Sequence, residues 1–206
     1  MLPSALVLGV FAVVGTGLVA FTQSLTADRI LENERATLLR TLHTLVPPER
    51  YDNELFKDTV EVHDPERLGT REPVTVFIAR REGQPVAAVF NTIAPDGYSG
   101  SIRLLVAVNR DGTLAGVRVI AHRETPGLGD YIEAGRSDWI HAFAGKSLQD
   151  PPPARWRVRR DGGEFEQFTG ATITPRAVVR AVYNTLRYYE ARGEHLFGQP
   201  EETQDE

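Results

Sequence analysis

The chain has no cysteine, so it can hold neither a disulfide nor a cysteine-ligated iron–sulfur cluster of its own. It also lacks any excess of basic charge. Its 23 Lys and Arg stand against 28 Asp and Glu, a formal net charge of -5. Without a phosphate-neutralising stripe, nucleic acid is excluded as an expected partner. No histidine or carboxylate cluster has metal-ligand spacing, and no protein-bound metal is expected. A serine hydrolase is discounted as well, because Gly97-Tyr98-Ser99-Gly100-Ser101 breaks the Gly-x-Ser-x-Gly elbow at its last position. There is no dinucleotide fingerprint and no internal repeat.

The N-terminal segment lacks charged side chains: none that ionises precedes Asp28. Leu6-Val7-Leu8, Val10-Phe11-Ala12-Val13-Val14 and Leu18-Val19-Ala20-Phe21 form an apolar run long enough for a bilayer, which needs about 20 residues. A cleaved signal peptide would carry a basic start and a small-x-small cleavage site. Met1-Leu2-Pro3-Ser4 has no basic group and the stretch after Phe21 offers no good site, so a retained anchor in the lipid bilayer is expected. Ala12, Thr16 and Ala20 have the spacing of small residues at a close helix–helix contact, a pattern also common in membrane helices generally. Arg29, Arg35 and Arg40 come after the run, and the positive-inside rule alone would place the rest of the chain in the cytoplasm.

Thr26 to about Leu45 reads as a helix continuing the anchor, stopped by Pro47-Pro48. Strand-like runs come next at Thr59–Val62, Val74–Ile78 and Pro85–Phe90. Ile102–Val108 and Gly116–Ile120 flank Asn109-Arg110-Asp111-Gly112, whose Asp-Gly pair marks a hairpin. Ser137–Phe143 suggests a short helix and Trp156–Val158 a strand. Val178, Val182, Leu186 and Tyr189 then recur at helical spacing, with Arg176, Arg180, Asn184 and Arg187 mostly opposite. The order implies an α+β fold, a mainly antiparallel sheet with packed helices behind a transmembrane helix and stalk. The expected divisions are an anchor at 1–25, a stalk at 26–48, a globular domain at 49–197 and a polar tail at 198–206.

The most informative stretch is Glu166-Gln167-Phe168-Thr169-Gly170-Ala171-Thr172, continued by Ile173-Thr174-Pro175-Arg176. Thr174-Pro175 reads as an N-cap and first helical position. Thr172 is then expected just ahead of a helix N-terminus, a favourable place for a phosphate. Arg176 would oppose the helix dipole in that first turn, which is easier to understand with an anion nearby. Two glycine loops, Pro95–Gly100 and His122–Gly129, have the composition to let backbone approach a flat ring, with Tyr98 able to stack. Gly and Pro also simply make turns. His122 is weighed as a proton donor or ring contact against an ordinary hydrogen-bonded histidine.

These residues together resemble the G subunit of Rnf-type electron transport complexes and the related C subunit of the sodium-pumping NADH:quinone reductase. The acidic-x-x-Ser/Thr-Gly-Ala-Thr motif of those proteins is matched at Thr169, Gly170, Ala171 and Thr172, with Glu166 where Asp is usual. The resemblance implies FMN as cofactor, esterified through its phosphate to Thr172 by a dedicated flavin transferase. It implies flavin contacts at Tyr98, Ser99, Glu124, Thr125, Pro126, Gly127, Leu128 and Gly129, with Arg176 near the phosphate. It also implies a redox subunit that is not catalytic alone, working with other subunits to couple electron flow between ferredoxin and NAD to ion transport. The flavin domain would then face the periplasm of a bacterial inner membrane, against the charge bias. The alternatives are the C subunit of the sodium pump and an anchored binding or assembly module that is never modified.

Overall fold

The computed structural model describes residues 2–198, so all but the first residue of the expected tail at 198–206 lies outside the described residues. Two compact units emerge, Met1–Thr41 and Leu42–Glu206. The first is most of helix α1 (Leu2–Leu45), whose Leu6–Ala27 stretch is long and apolar enough to cross a membrane. Its 22 residues rise about 33 Å, close to the roughly 30 Å of bilayer hydrocarbon. Anchor and stalk are one continuous helix, which stops at Leu45 just ahead of Pro47-Pro48.

The second unit is built on an antiparallel meander of strands β1 (Thr59–Val62), β2 (Val74–Arg81), β3 (Gln84–Gly97), β4 (Gly100–Asn109) and β5 (Leu114–Ala121), ordered as in the chain. The β4–β5 hairpin falls where Asp-Gly implies it: Gly112 has φ 83 and Asp111 accepts from the Thr113 amide and hydroxyl. The strands run longer than the apolar runs suggest. β3 continues through Pro95-Asp96-Gly97, and Tyr98-Ser99 form only the tip of a tight turn closed by the Gly97–Gly100 pair. The expected 95–100 loop is therefore mostly strand.

Both faces of the sheet are buried, which explains why its strands read as near-continuous apolar runs. One face, with Val76, Ile78, Ala88, Phe90, Leu104 and Val106, packs in the main core with helix α2 (Pro65–Leu68) and helix α3 (Ile173–Phe197). Val178, Val182, Leu186 and Tyr189 are all buried, as their spacing implies. Burying each aliphatic side chain contributes roughly 1.5–3 kcal/mol. The other face, with Phe77, Val89, Leu105 and Ala107, is covered from residues 42–56, where Leu42, Leu45 and Leu55 are buried and Phe56 sets its ring edge-on to Phe77 at 5.7 Å.

The expected strand at Trp156–Val158 does not form. Val158 makes an isolated parallel bridge to Phe165, and short 3-10 turns at Pro153–Arg155 and Arg159–Asp161 flank it. Pro151, Pro152 and Pro153 supply no amide hydrogens for a ladder. The short helix near 137–143 is a 3-10 segment, Trp139–Phe143.

Candidate functional site

The segment leading to Thr172 has little regular structure, yet it is fixed at nearly every residue. Phe165 exchanges backbone bonds with Arg157 and Arg159. The Trp139 indole donates to the Glu166 carbonyl at 2.8 Å, and the Glu166 carboxylate pairs with Arg159 at 2.6 Å. Phe168 packs against Trp139 and Tyr131 with ring centroids 5.2 and 5.6 Å away. Phe168 to Ala171 is then a β-turn, closed by the Ala171 amide donating to the Phe168 carbonyl at 3.2 Å. Gly170 sits in it with φ 82, the left-handed backbone that glycine adopts freely and a β-carbon disfavours. The turn leaves Thr169 exposed and delivers Thr172, half-buried, directly to the helix.

Helix α3 begins two residues earlier than the Thr-Pro pair implies. Thr172 is the N-cap residue, and its carbonyl accepts the first intrahelical bond from Arg176 at 3.3 Å. Its side chain caps nothing, because its backbone is already helical, with φ -72 and ψ -25. A capping side chain needs the extended backbone that turns its oxygen onto the following amides. Thr174 does not cap the helix. Its hydroxyl, fully buried, donates to the Glu124 carboxylate at 2.5 Å. Pro175 lies inside the first turn, where its missing amide hydrogen costs nothing.

Glu124 connects the glycine segments to this helix start. It is 5% exposed, and its other oxygen accepts from the Ser99 amide at 3.0 Å. Its own amide donates to His122 Nδ1 at 3.0 Å. His122 therefore carries its proton on Nε2 and donates to Glu133 at 2.6 Å, the ordinary hydrogen-bonded histidine of the two alternatives. Gly97 and Gly129 flank the carboxylate so tightly that a β-carbon on either would come within 2.8 Å of Glu124 atoms. Thr125, Pro126, Gly127 and Leu128 arch outward, all exposed, with the Gly127 amide held by Asp130 at 2.7 Å.

Tyr98, Leu128, Tyr131 and Ile173 are the exposed large apolar side chains among the described residues of the second unit. They share one neighbourhood. Ile173 is next to Thr172 in the chain, and Leu128 lies 3.7 Å from where a Gly170 β-carbon would sit. Tyr131 packs on Phe168, and Tyr98 precedes the Ser99 amide held by Glu124. A flat apolar group with one anionic end fits this arrangement: apolar surface outside, and a helix start beside a hydroxyl with no capping duty. A cavity of about 410 Å³ lies elsewhere, at the C-terminal end of α3 beside Arg110, Leu186 and Tyr189, and brings in none of the residues expected to bind.

Arg176 has a partner of its own. Its guanidinium makes two 2.6 Å bonds to Asp161, and those hydrogen bonds hold the Asp161 carboxyl below its usual range. Asp161 supplies the anion that a cation in the first turn is expected to need, so the dipole argument no longer points to a phosphate there. Tyr131, Trp139 and Phe168 support the site without any motif to mark them. The signal for them in the sequence is the density of aromatics between 131 and 168.

The FMN-binding domain model matches residues 97–187, and the model of the RnfG N-terminal region matches residues 1–45. The G subunit of the ion-translocating oxidoreductase complex of Pseudomonas aeruginosa is 53% identical over 202 residues, covering 98% of this chain and 94% of the relative. That of Vibrio atlanticus is 48% identical over 197 residues, covering 96% and 94%. The chain belongs to this G-subunit family. The FMN-binding domain lies in the second unit and the apolar helix in the first, so this member of the family is a membrane-anchored flavoprotein subunit of an oxidoreductase complex. The crystal structure of Shewanella oneidensis NqrC shares the fold, with a TM-score of 0.50 at 22% identity, covering 72% of this chain and 76% of that one.

Proposed function

We propose that this chain carries FMN as a phosphoester on Thr172 and relays electrons within an Rnf-type complex that couples ferredoxin/NAD electron transfer to ion movement. The observation that carries the reading is a threonine at the start of a 25-residue helix whose hydroxyl caps nothing. In the ester the phosphate keeps a negative charge beside the helix N-terminus, which favours the product. Esterification in water needs an activated donor, so the flavin must arrive with its phosphate in a pyrophosphate linkage, as in a flavin dinucleotide. The bond from Thr172 Oγ1 to phosphorus forms as the pyrophosphate P–O bond breaks. The nucleoside monophosphate leaves, and the hydroxyl proton passes to a base of the flavin transferase. Bound through its phosphate, the flavin supplies reversible electron transfer at a ring that the linkage leaves unaltered.

The chain's own residues bind and orient. Thr169, Gly170 and Ala171 hold Thr172 on a narrow turn, with Leu128 and Ile173 offering apolar surface beside it. Tyr98 at the β3–β4 tip and Tyr131 above Phe168 extend that surface. The Ser99 amide and the 124–129 arch are positioned by Glu124.

Denaturing and desalting the protein purified from a host with a flavin transferase should leave it yellow, with an intact mass above that of the bare chain by one esterified FMN. A colourless chain of unmodified mass would make it a binding or assembly module instead. The second unit is expected in the periplasm, as the family resemblance implies and the three arginines oppose. A C-terminal reporter active only outside the cytoplasm should be active, and activity of a cytoplasm-only reporter at the same point would reverse the orientation.

A further inference from the structure

We propose that Glu124 is a positioning residue for flavin transfer: its buried carboxylate ties the start of α3 to the Tyr98-Ser99 turn and so sets the backbone that presents Thr172. The inference rests on Thr172 being the modified residue. It assigns Glu124 a role distinct from touching the flavin. One carboxylate oxygen accepts from the Thr174 hydroxyl at 2.5 Å and the other from the Ser99 amide at 3.0 Å. Those two bonds join residues 50 and 25 positions away in sequence. Thr174 is two residues beyond Thr172 in the first turn of the helix, where no side-chain cap fixes the chain direction. The Thr174–Glu124 bond is thus a buried side-chain restraint on how the turn at 168–171 enters the helix, beside the exposed Arg176–Asp161 pair.

The surroundings are built for this contact. Gly97 and Gly129 both lack the β-carbon that would collide with Glu124. The Glu124 backbone is itself held through His122 to Glu133. Glu124 is only 5% exposed, whereas Tyr98 and Leu128 lie on the surface. A buried carboxylate is costly unless its oxygens are paired, and here both accept bonds from segments that frame Thr172. Group transfer to a hydroxyl is sensitive to small displacements, and a misplacement of about 1 Å can cost on the order of a hundredfold in rate.

The test measures the rate of covalent FMN incorporation into the full-length chain in detergent, using purified flavin transferase and a flavin dinucleotide, read by intact mass. Thr174→Val keeps the shape of the side chain but removes the donor, and Thr174→Ser keeps the donor. Glu124→Ala removes both acceptors, whereas Glu124→Gln can still accept from Ser99 and donate to the Thr174 oxygen. Thr174→Val and Glu124→Ala should each slow incorporation at least about tenfold, while Thr174→Ser and Glu124→Gln stay within about threefold of the parent. Val106→Ala, a core truncation in β4, serves as the control for lost stability and should be modified at the parent rate. Parent-like rates in Thr174→Val overturn the proposal, as does an equal slowing in Val106→Ala. If the parent chain itself gains no flavin, the reading of Thr172 fails, and the positioning role with it. If the parent is modified and Thr174→Val is unaffected, only the positioning role fails.

Discussion

Thr172→Ala, coexpressed with a flavin transferase, is expected to give a folded, colourless protein with no added mass. The loss should be complete, because the substitution removes the one oxygen that could form the ester at this position. Stability should scarcely change. Mutating a threonine that caps a helix costs about 1 kcal/mol, but the Thr172 side chain makes no capping bond, so the expected change is within about 0.5 kcal/mol. Thr172→Ser restores a hydroxyl and should restore colour. The neighbouring threonines are poor substitutes for different reasons. Thr174 is fully buried and its hydroxyl is committed to Glu124. Thr169 is exposed but lies in the turn, ahead of the helix start, so a phosphate there would lose the proximity of the first-turn amides. Peptide mapping that placed FMN on Thr169 in the parent, or covalent FMN in Thr172→Ala, would refute the assignment.

Thr172 stands out in the sequence, but the helix cap that sets it apart from Thr174 does not exist. Thr-Pro ahead of an apolar stripe is a sound helix-start signal, and it misplaces the start by two residues because Thr174 has a stronger partner far away in sequence. A bond to Glu124 spans 50 residues and leaves no local trace. The same holds for Arg176, whose pairing with Asp161 crosses 15 residues and cancels an argument built on the helix dipole alone. The legible features are those set by local chemistry: the uncharged anchor, the Asp-Gly hairpin and the period of α3. The glycine loops are legible as places where chain approaches closely. At Gly129, however, the close neighbour is the Glu124 side chain, and at Gly97 it is the Gly100 carbonyl followed by Glu124. The bridge at Val158 reads as a strand because Trp156 and Val158 alternate with Arg155, Arg157 and Arg159, the period-two pattern of a half-buried strand. Only the prolines at 151–153 point the other way.

Phe143→Ala should cost about 3–5 kcal/mol, a large part of the 5–15 kcal/mol that keeps a typical domain folded. Phe143 is fully buried where several aromatics meet: Phe165 stacks on it at 4.6 Å, Trp139 meets it edge-on at 5.3 Å and Trp156 lies at 6.3 Å. Trp139 shares the 3-10 segment of Phe143, whereas Trp156 and Phe165 come from irregular segments bonded to each other, so the cavity left by alanine could not close by a simple slide of a helix or strand. The damage should also be directional. Phe165 and Trp139 are the supports of the chain that delivers Thr172, through the Phe165 backbone bonds, the indole bond to Glu166 and the packing on Phe168. Hydrogen exchange should therefore accelerate at the Phe165 and Ala171 amides by more than the global loss of stability requires. Phe90→Ala is the comparison. That ring is equally buried, but it packs on Tyr188 and Tyr189 beneath the middle of the sheet, so its loss should lower protection at 165–171 only through the global term. A urea midpoint for Phe143→Ala corresponding to less than about 1 kcal/mol, below the range for a buried aromatic truncation, would show that the aromatic cluster does not hold the attachment segment in place.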